Sequence, residues 1–213
     1  MTDLDSQPDA RTIEPVRATP ALSHVVLRTA HLQDAVDWYT TVLGCRTVFF
    51  VDDLSAALTF DGEHHRIALL AVPAAETDPT APGIEHIAYK QTGFEAWLGN
   101  YVRLRSEGIV PGLVLHHGGT LSMYYRDPDG VQVELLIDTM TADQTIEYMK
   151  SEEFRSNPIG VPVDPEELVR RFEAGEPLED VLAQPPFDPA MFEAILAMGD
   201  GVAEVAKAQG PPA

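Results

Sequence analysis

A chain of 213 residues, 45% apolar and 23% charged, is large enough to close one compact domain around a real core. Its 34 acidic residues against 14 basic ones give a formal charge of −20, which sets the surface against phosphate backbones and anionic membranes and argues against nucleic-acid binding. Cys45 is the lone cysteine, so an internal disulfide and a cysteine-built metal site are excluded, and any metal must be held by His, Asp or Glu, which suits Fe(II), Mn(II) or Zn(II).

Residues 1–19 are polar, contain proline and lack periodicity, so they are expected to form a flexible arm. Their acids and prolines are unlike a secretion signal, and no run of about 18 apolar residues follows to span a bilayer; a cytoplasmic location is expected. Residues 21–29 (ALSHVVLRT) are β-branched and apolar and predict a strand. Ala35, Val36, Tyr39 and Leu43 share one helical face within 33–43, and Gly44 suits the stop. Strands are predicted at 45–51, 55–60 and 64–72, followed by a Pro-rich linker at 73–83.

The same order then returns. Residues 84–90 predict a strand, 94–106 a helix through Phe94, Trp97, Tyr101 and Leu104, and 110–116, 121–125 and 131–138 three more strands. The chain therefore reads as a duplicated β-α-β-β-β unit, an α+β domain over 20–139 made of modules 20–73 and 83–139. Asp61-Gly62 and Asp129-Gly130 each open the last strand of a module; aligned on them, His64 matches Gln132, His65 matches Val133 and Arg66 matches Glu134. Residues 140–213 form a helical extension with proline breaks. Asp164 caps a helix that begins at Pro165 and runs through 168–174, and a further helix is predicted at 189–208. The apolar helical tail favours a homo-oligomer.

Alternation in the strands separates two faces. Val131, Val133 and Leu135 suit a helix-packed face, which turns Gln132 and Glu134 the other way; Val25 and Leu27 leave His24 opposite, and Ile87 and Tyr89 leave His86 opposite. Two imidazoles and a carboxylate on one enclosed face can cap one triangular face of an octahedral ion and leave three positions open. The chain has seven histidines, so spacing alone does not single out two of them. Glu134, between Val133 and Leu135 in an apolar strand, is the stronger signal, because a buried carboxylate needs a cation or hydrogen-bond donors.

The stretch from about residue 21 to 138 resembles the vicinal oxygen chelate superfamily, built from paired β-α-β-β-β modules. Within it the chain is similar to the single-domain extradiol dioxygenases of the biphenyl-2,3-diol 1,2-dioxygenase type. The likeness rests on Ser23-His24-Val25-Val26-Leu27, Glu63-His64-His65-Arg66-Ile67-Ala68, Ile84-Glu85-His86-Ile87-Ala88-Tyr89, His116-His117-Gly118, the run from Ser122 to Gly130 leading into Val133-Glu134-Leu135, and Asn157-Pro158-Ile159-Gly160 in the tail. It implies Fe(II), or Mn(II), held by His24, His86 and Glu134, with a catechol and O2 as the small-molecule partners. It implies an acid-base histidine in the His64-His65 pair; the Asp-Gly alignment puts His64 on the face of Glu134 and favours it over His65. Tyr124 takes the place of a tyrosine hydrogen-bonded to substrate, Tyr125 faces away, and His117 takes the place of a second substrate-side polar group. Two rival readings share the fold: a metal-dependent lyase or isomerase of the glyoxalase type, which adds a fourth protein ligand, and a metal-free small-molecule binding protein. Arg66, aligned with Glu134, cannot ligate, which favours three ligands and an open site.

Overall fold

The structure, a computed structural model, describes residues 21–74 and 83–186. The expected arm at 1–19, most of the linker at 73–83 and the expected helix at 189–208 lie outside the described residues. The first module runs β1 (Val25–Thr29), α1 (Leu32–Leu43), β2 (Arg46–Val51), β3 (Ser55–Thr59) and β4 (Ile67–Ala71). The second repeats it as β5 (His86–Lys90), α2 (Phe94–Ser106), β6 (Leu113–His116), β7 (Thr120–Arg126) and β8 (Gln132–Asp138). Each module makes its own sheet, ordered β1-β4-β3-β2 in the first and β5-β8-β7-β6 in the second, with the outer pair parallel and the rest antiparallel. The expected curled surface is thus built from two hydrogen-bonded sheets.

The helices form where the sequence places an apolar stripe. Leu32, Ala35, Val36, Tyr39 and Val42 are the buried side of α1, and Gly44 ends it in the left-handed conformation at φ 67°. Phe94, Trp97, Leu98, Tyr101 and Leu104 do the same for α2, and the Trp97 indole N–H donates to the Leu135 carbonyl at 2.8 Å. Ile67 and Leu69 of β4, and Val133 and Leu135 of β8, meet these helices in one continuous core that includes both modules.

A buried polar bridge joins the modules. The Tyr39 hydroxyl of α1 donates to Asp127 Oδ2 at 3.0 Å in the β7–β8 turn, and the Ala30 N–H donates to Asp129 Oδ1 at 2.8 Å. Asp127 also receives the N–H groups of Asp129 and Val131. Its carboxylate therefore closes its own turn and anchors the other module's helix.

The extension departs from an all-helical tail. It runs α3 (Ala142–Tyr148), α4 (Glu152–Ser156), the short strand β9 (Val161–Pro162), α5 (Pro165–Glu173) and α6 (Leu178–Val181). β9 pairs antiparallel with β6, His116 opposite Val161, and so covers the open edge of the second sheet; beyond Pro162 the Val163 N–H still donates to the Val114 carbonyl at 3.1 Å. Asp164 caps α5 by accepting the Glu166 N–H, with Pro165 at its first position. Glu166 then accepts the Tyr101 hydroxyl at 2.5 Å and pairs with Arg105, which pins α5 to α2.

Asp127→Ala strips three donors of their acceptor, whereas Tyr39→Phe removes one bond and leaves Asp127 its backbone partners. We expect Tyr39→Phe to cost about 1 kcal/mol and Asp127→Ala about 3 kcal/mol or more. Urea unfolding of both variants checks this; equal losses would mean that the bridge does not hold the turn.

Candidate metal centre

Glu134 sits in the middle of β8, opposite Tyr124 on β7 and Ala88 on β5, with His86 two residues along β5 beside Gln132. Because Val133 and Leu135 take the helix side, Glu134 turns to the helix-free face, as do Tyr124 and His86. It is only 5% exposed there. His86 Nε2 lies 3.0 Å from Glu134 Oε2, and the Tyr124 hydroxyl lies 3.2 Å from Glu134 Oε1. His117 Nε2 is 2.9 Å from the same hydroxyl, and its Nδ1 is 2.6 Å from the Ile159 carbonyl. Leu113, Leu115 and Ile159 pack around Tyr124 and make this side of the site apolar.

The charges follow from this packing. The hydrogen bond to Glu134, with a second to Glu85, raises His86 to about 10 despite its partial burial. Burial works to raise the Glu134 carboxyl, but the hydrogen bond and charge of His86 hold it below its ordinary value. Burial, then the charge of Glu134, keeps the Tyr124 phenol protonated well above the usual range. Burial is also the main reason that His117 is held below its ordinary value and stays neutral.

His24, His64 and His65 form a second group on the first module. His24 stands just before β1; its ring lies 4.3 Å from that of His65, and its Nδ1 is 3.4 Å from the Ser23 hydroxyl. His64 Nδ1 meets His65 Nδ1 at 2.6 Å, with His64 exposed and His65 partly covered. Among the described residues, no three His, Cys, Asp or Glu side chains lie close enough together to hold one ion. The structure thus joins His86, Glu134, Tyr124 and His117, and keeps His24 with His65. Tyr125 faces the core, away from the site.

The strand pairing corrects the alignment of the modules. Val25 pairs with Ile67 and Ile87 pairs with Val133, so Ile67 corresponds to Val133 and Ala68, not Arg66, to Glu134. Four residues, 63–66, separate Gly62 from Ile67, but only residues 131 and 132 separate Gly130 from Val133. The longer turn carries His64 and His65 outside the strand, where alternation does not assign a face. Arg66 is committed to that turn, binding Asp61 Oδ2 at 2.8 Å and the carbonyls of Leu22 and Ser23 at 2.9 and 3.0 Å. Ala68 offers no donor atom, so this position, like Arg66 before it, supplies no fourth ligand.

The sequence places Gln132 on the face of Glu134 without a role, and does not single out Glu85 or the Ile159 carbonyl. Glu85 bonds His86 Nδ1 and itself accepts from Gln132 Nε2 at 3.2 Å. A carboxylate next to a candidate ligand histidine was the available signal for Glu85, since ligand imidazoles are oriented by an acceptor on their second nitrogen. A backbone carbonyl leaves no such signal.

Residues 21–135 match the model of the Glyoxalase/Bleomycin resistance protein/Dioxygenase superfamily. The chain belongs to this superfamily. It is 42% identical over 167 residues to biphenyl-2,3-diol 1,2-dioxygenase 2 of Rhodococcus globerulus, covering 77% of this chain and 87% of that protein. Biphenyl-2,3-diol 1,2-dioxygenase 3 of the same organism is 39% identical over 163 residues, with 75% and 85% covered. Among solved structures, lactoylglutathione lyase from Agrobacterium tumefaciens is 20% identical, with a TM-score of 0.46, over 57% of this chain and 96% of that one. Membership in the superfamily, with dioxygenases as relatives, implies a divalent metal.

The superfamily's metal can be tested against the donor pair. Two neighbouring ligands on an octahedral ion, each about 2.1 Å from it, stand about 3 Å apart. His86 Nε2 and Glu134 Oε2 are 3.0 Å apart, on adjacent strands, with the carboxylate buried and its histidine oriented by Glu85. The pair therefore fits a cation, which would take the place of the proton that now lies between them.

That substitution has a measurable consequence. Without metal His86 is protonated at neutral pH, and Nε2 must lose its proton to ligate. We expect about one proton released per divalent ion bound near neutral pH, read by calorimetry in buffers of different ionisation enthalpy. Uptake without proton release would place the ion elsewhere. In the metal-free chain the raised His86 contributes stability that is fully present below pH 6.5 and is lost as pH rises through about 10. The depressed Glu134 contributes stability present above its unfolded value and lost as pH falls through its folded one.

Proposed function

We propose that this protein is an extradiol dioxygenase: it opens a catechol-type ring beside its two hydroxyls with O2, using Fe(II) held by His24, His86 and Glu134. The observation that carries the reading is the buried Glu134 carboxylate, paired with His86 and flanked by Tyr124, on the helix-free face of the second sheet. The two dioxygenase relatives, each matched over most of its length, support the substrate class. The reading requires His24 to join the His86–Glu134 pair when metal binds. Ala68, at the place of a fourth ligand, leaves coordination positions open.

The metal, when bound, supplies acidification of the catechol hydroxyls and a common site for both reactants. The side chains supply the rest. Glu134 and His86 fix the ion to neighbouring strands, and Glu85 fixes the ring of His86. Tyr124, its phenol kept protonated by burial, sets its hydroxyl within hydrogen-bond reach of a substrate hydroxyl. His65 is the proton acceptor we favour. Its ring lies against His24, and partial desolvation, with the nearby His24 and His64, lowers its pKa so that it stays neutral. His64, outside it, holds the shared Nδ1 hydrogen bond. On the helix-free face of the first sheet the rung Arg28, Leu70, Ser55 and Val51 alternates polar and apolar, and the neighbouring rung, Val26, Ala68, Ala57 and Phe49, is wholly apolar. This apolar wall suits an aromatic ring.

The test is anaerobic loading with Fe(II), then air and 2,3-dihydroxybiphenyl or catechol, following O2 uptake and a new visible absorbance. Glu134→Ala and His86→Ala should abolish both signals, and His24→Ala should also weaken metal binding. His65→Gln should slow turnover by about 10²- to 10⁴-fold, with His64→Gln affected far less. Metal-loaded protein that consumes no O2 with any catechol would sink the proposal.

A further inference from the structure

The C-terminal extension reaches into the site at one point. His117 lies in the β6–β7 turn, which is pressed from two sides. On one side α3 packs on the turn so closely that a Cβ on Gly118 would stand 2.2 Å from Tyr148 Cε1, and one on Gly119 2.5 Å from Thr145 Cγ2. On the other side Gly160, at φ +105°, lets the 157–160 loop approach until an added Cβ would stand 2.5 Å from the His116 carbonyl. Asn157 closes that loop on itself: its Nδ2 donates to the Gly160 carbonyl at 2.8 Å, and its Oδ1 accepts the Gly160 N–H at 3.1 Å. The Ile159 carbonyl is thereby aimed at His117 Nδ1, 2.6 Å away.

A carbonyl oxygen only accepts, so Nδ1 must carry the hydrogen. The neutral ring then has a bare lone pair on Nε2, 2.9 Å from the Tyr124 hydroxyl. Tyr124 has one hydrogen and two acceptors in reach, His117 Nε2 and, at 3.2 Å, Glu134 Oε1. We propose that the extension is a positioning device for the site: the Ile159 carbonyl, held by Asn157 and Gly160, fixes His117 as its Nδ1–H tautomer, whose bare Nε2 takes over the Tyr124 hydrogen from Glu134 Oε1 once a cation neutralises the carboxylate. Tyr124 then shows a lone pair to the side of Glu134, where the hydroxyl of a bound catechol can donate to it, and Glu134 keeps both oxygens for His86 and the cation. The last step rests on the proposed catechol site; the tautomer does not.

The tautomer is read directly from two-bond 1H–15N correlations of the imidazoles in the full-length chain. Spectra are taken with metal stripped by a chelator and again with diamagnetic Zn(II) added, and the ring is assigned by its loss in His117→Gln. The expected wild-type pattern is that of Nδ1–H alone. Asn157→Ala, which frees the loop, should give a mixture of tautomers. Asn157→Asp, which keeps the acceptor for the Gly160 N–H, should restore most of the single form. A wild-type ring protonated on Nε2 would overturn the inference, as would a pure Nδ1–H form in a folded Asn157→Ala. If Asn157→Ala does not fold, the wild-type spectrum and Asn157→Asp decide. The readout needs no turnover, so a single Nδ1–H form in a protein that cleaves no catechol would leave this inference standing and remove only the proposed activity.

Discussion

Burial of one carboxylate governs the site. An ionised Glu in the middle of an otherwise apolar strand costs several kcal/mol unless a partner repays it. The polar groups around Glu134 on the helix-free face of the second sheet offset that cost: His86 against one oxygen, the Tyr124 hydroxyl near the other, Glu85 and Gln132 behind His86, His117 behind Tyr124. The helix side of the same strands is core, with Val133 and Leu135 buried against α2. One strand thus separates an apolar interior from a polar site by alternation alone.

That alternation was legible in the sequence wherever the strand was regular. Val133-Glu134-Leu135 and the residues after His86 each assign a face, Tyr124 followed only from the resemblance, and pairing puts the three on adjacent strands. Alternation stops assigning faces where the backbone leaves the ladder. His64 and His65 lie in a turn two residues longer than its counterpart, so an alignment on Asp-Gly carried a strand rule into a segment that is not strand. The short strand β9 has no periodic signal in two residues, one of them proline, and is defined by the edge it covers. Duplication was readable because helix stripes and strand runs recur in order; the divergence of the two copies was not, because it lies in loop length and in what covers each sheet.

The copies have divided their labour. The second sheet holds the buried carboxylate and carries the extension on its edge. The first offers histidines at its margin and a largely apolar helix-free face, where Val26, Phe49, Val51 and Leu70 are each about half exposed.

The buried bridge between Tyr39 and Asp127 bears on how such a chain can change. Each module resembles a self-contained unit in outline, yet the core runs through both, and the helix of the first is moored to a turn of the second. Neither half could be cut free without baring apolar surface and taking from that carboxylate its partner across the bridge. The ancestral repeat, if it once stood alone, must have found the missing half in another copy of itself, and fusion into one chain then converted a concentration-dependent partnership into a fixed one.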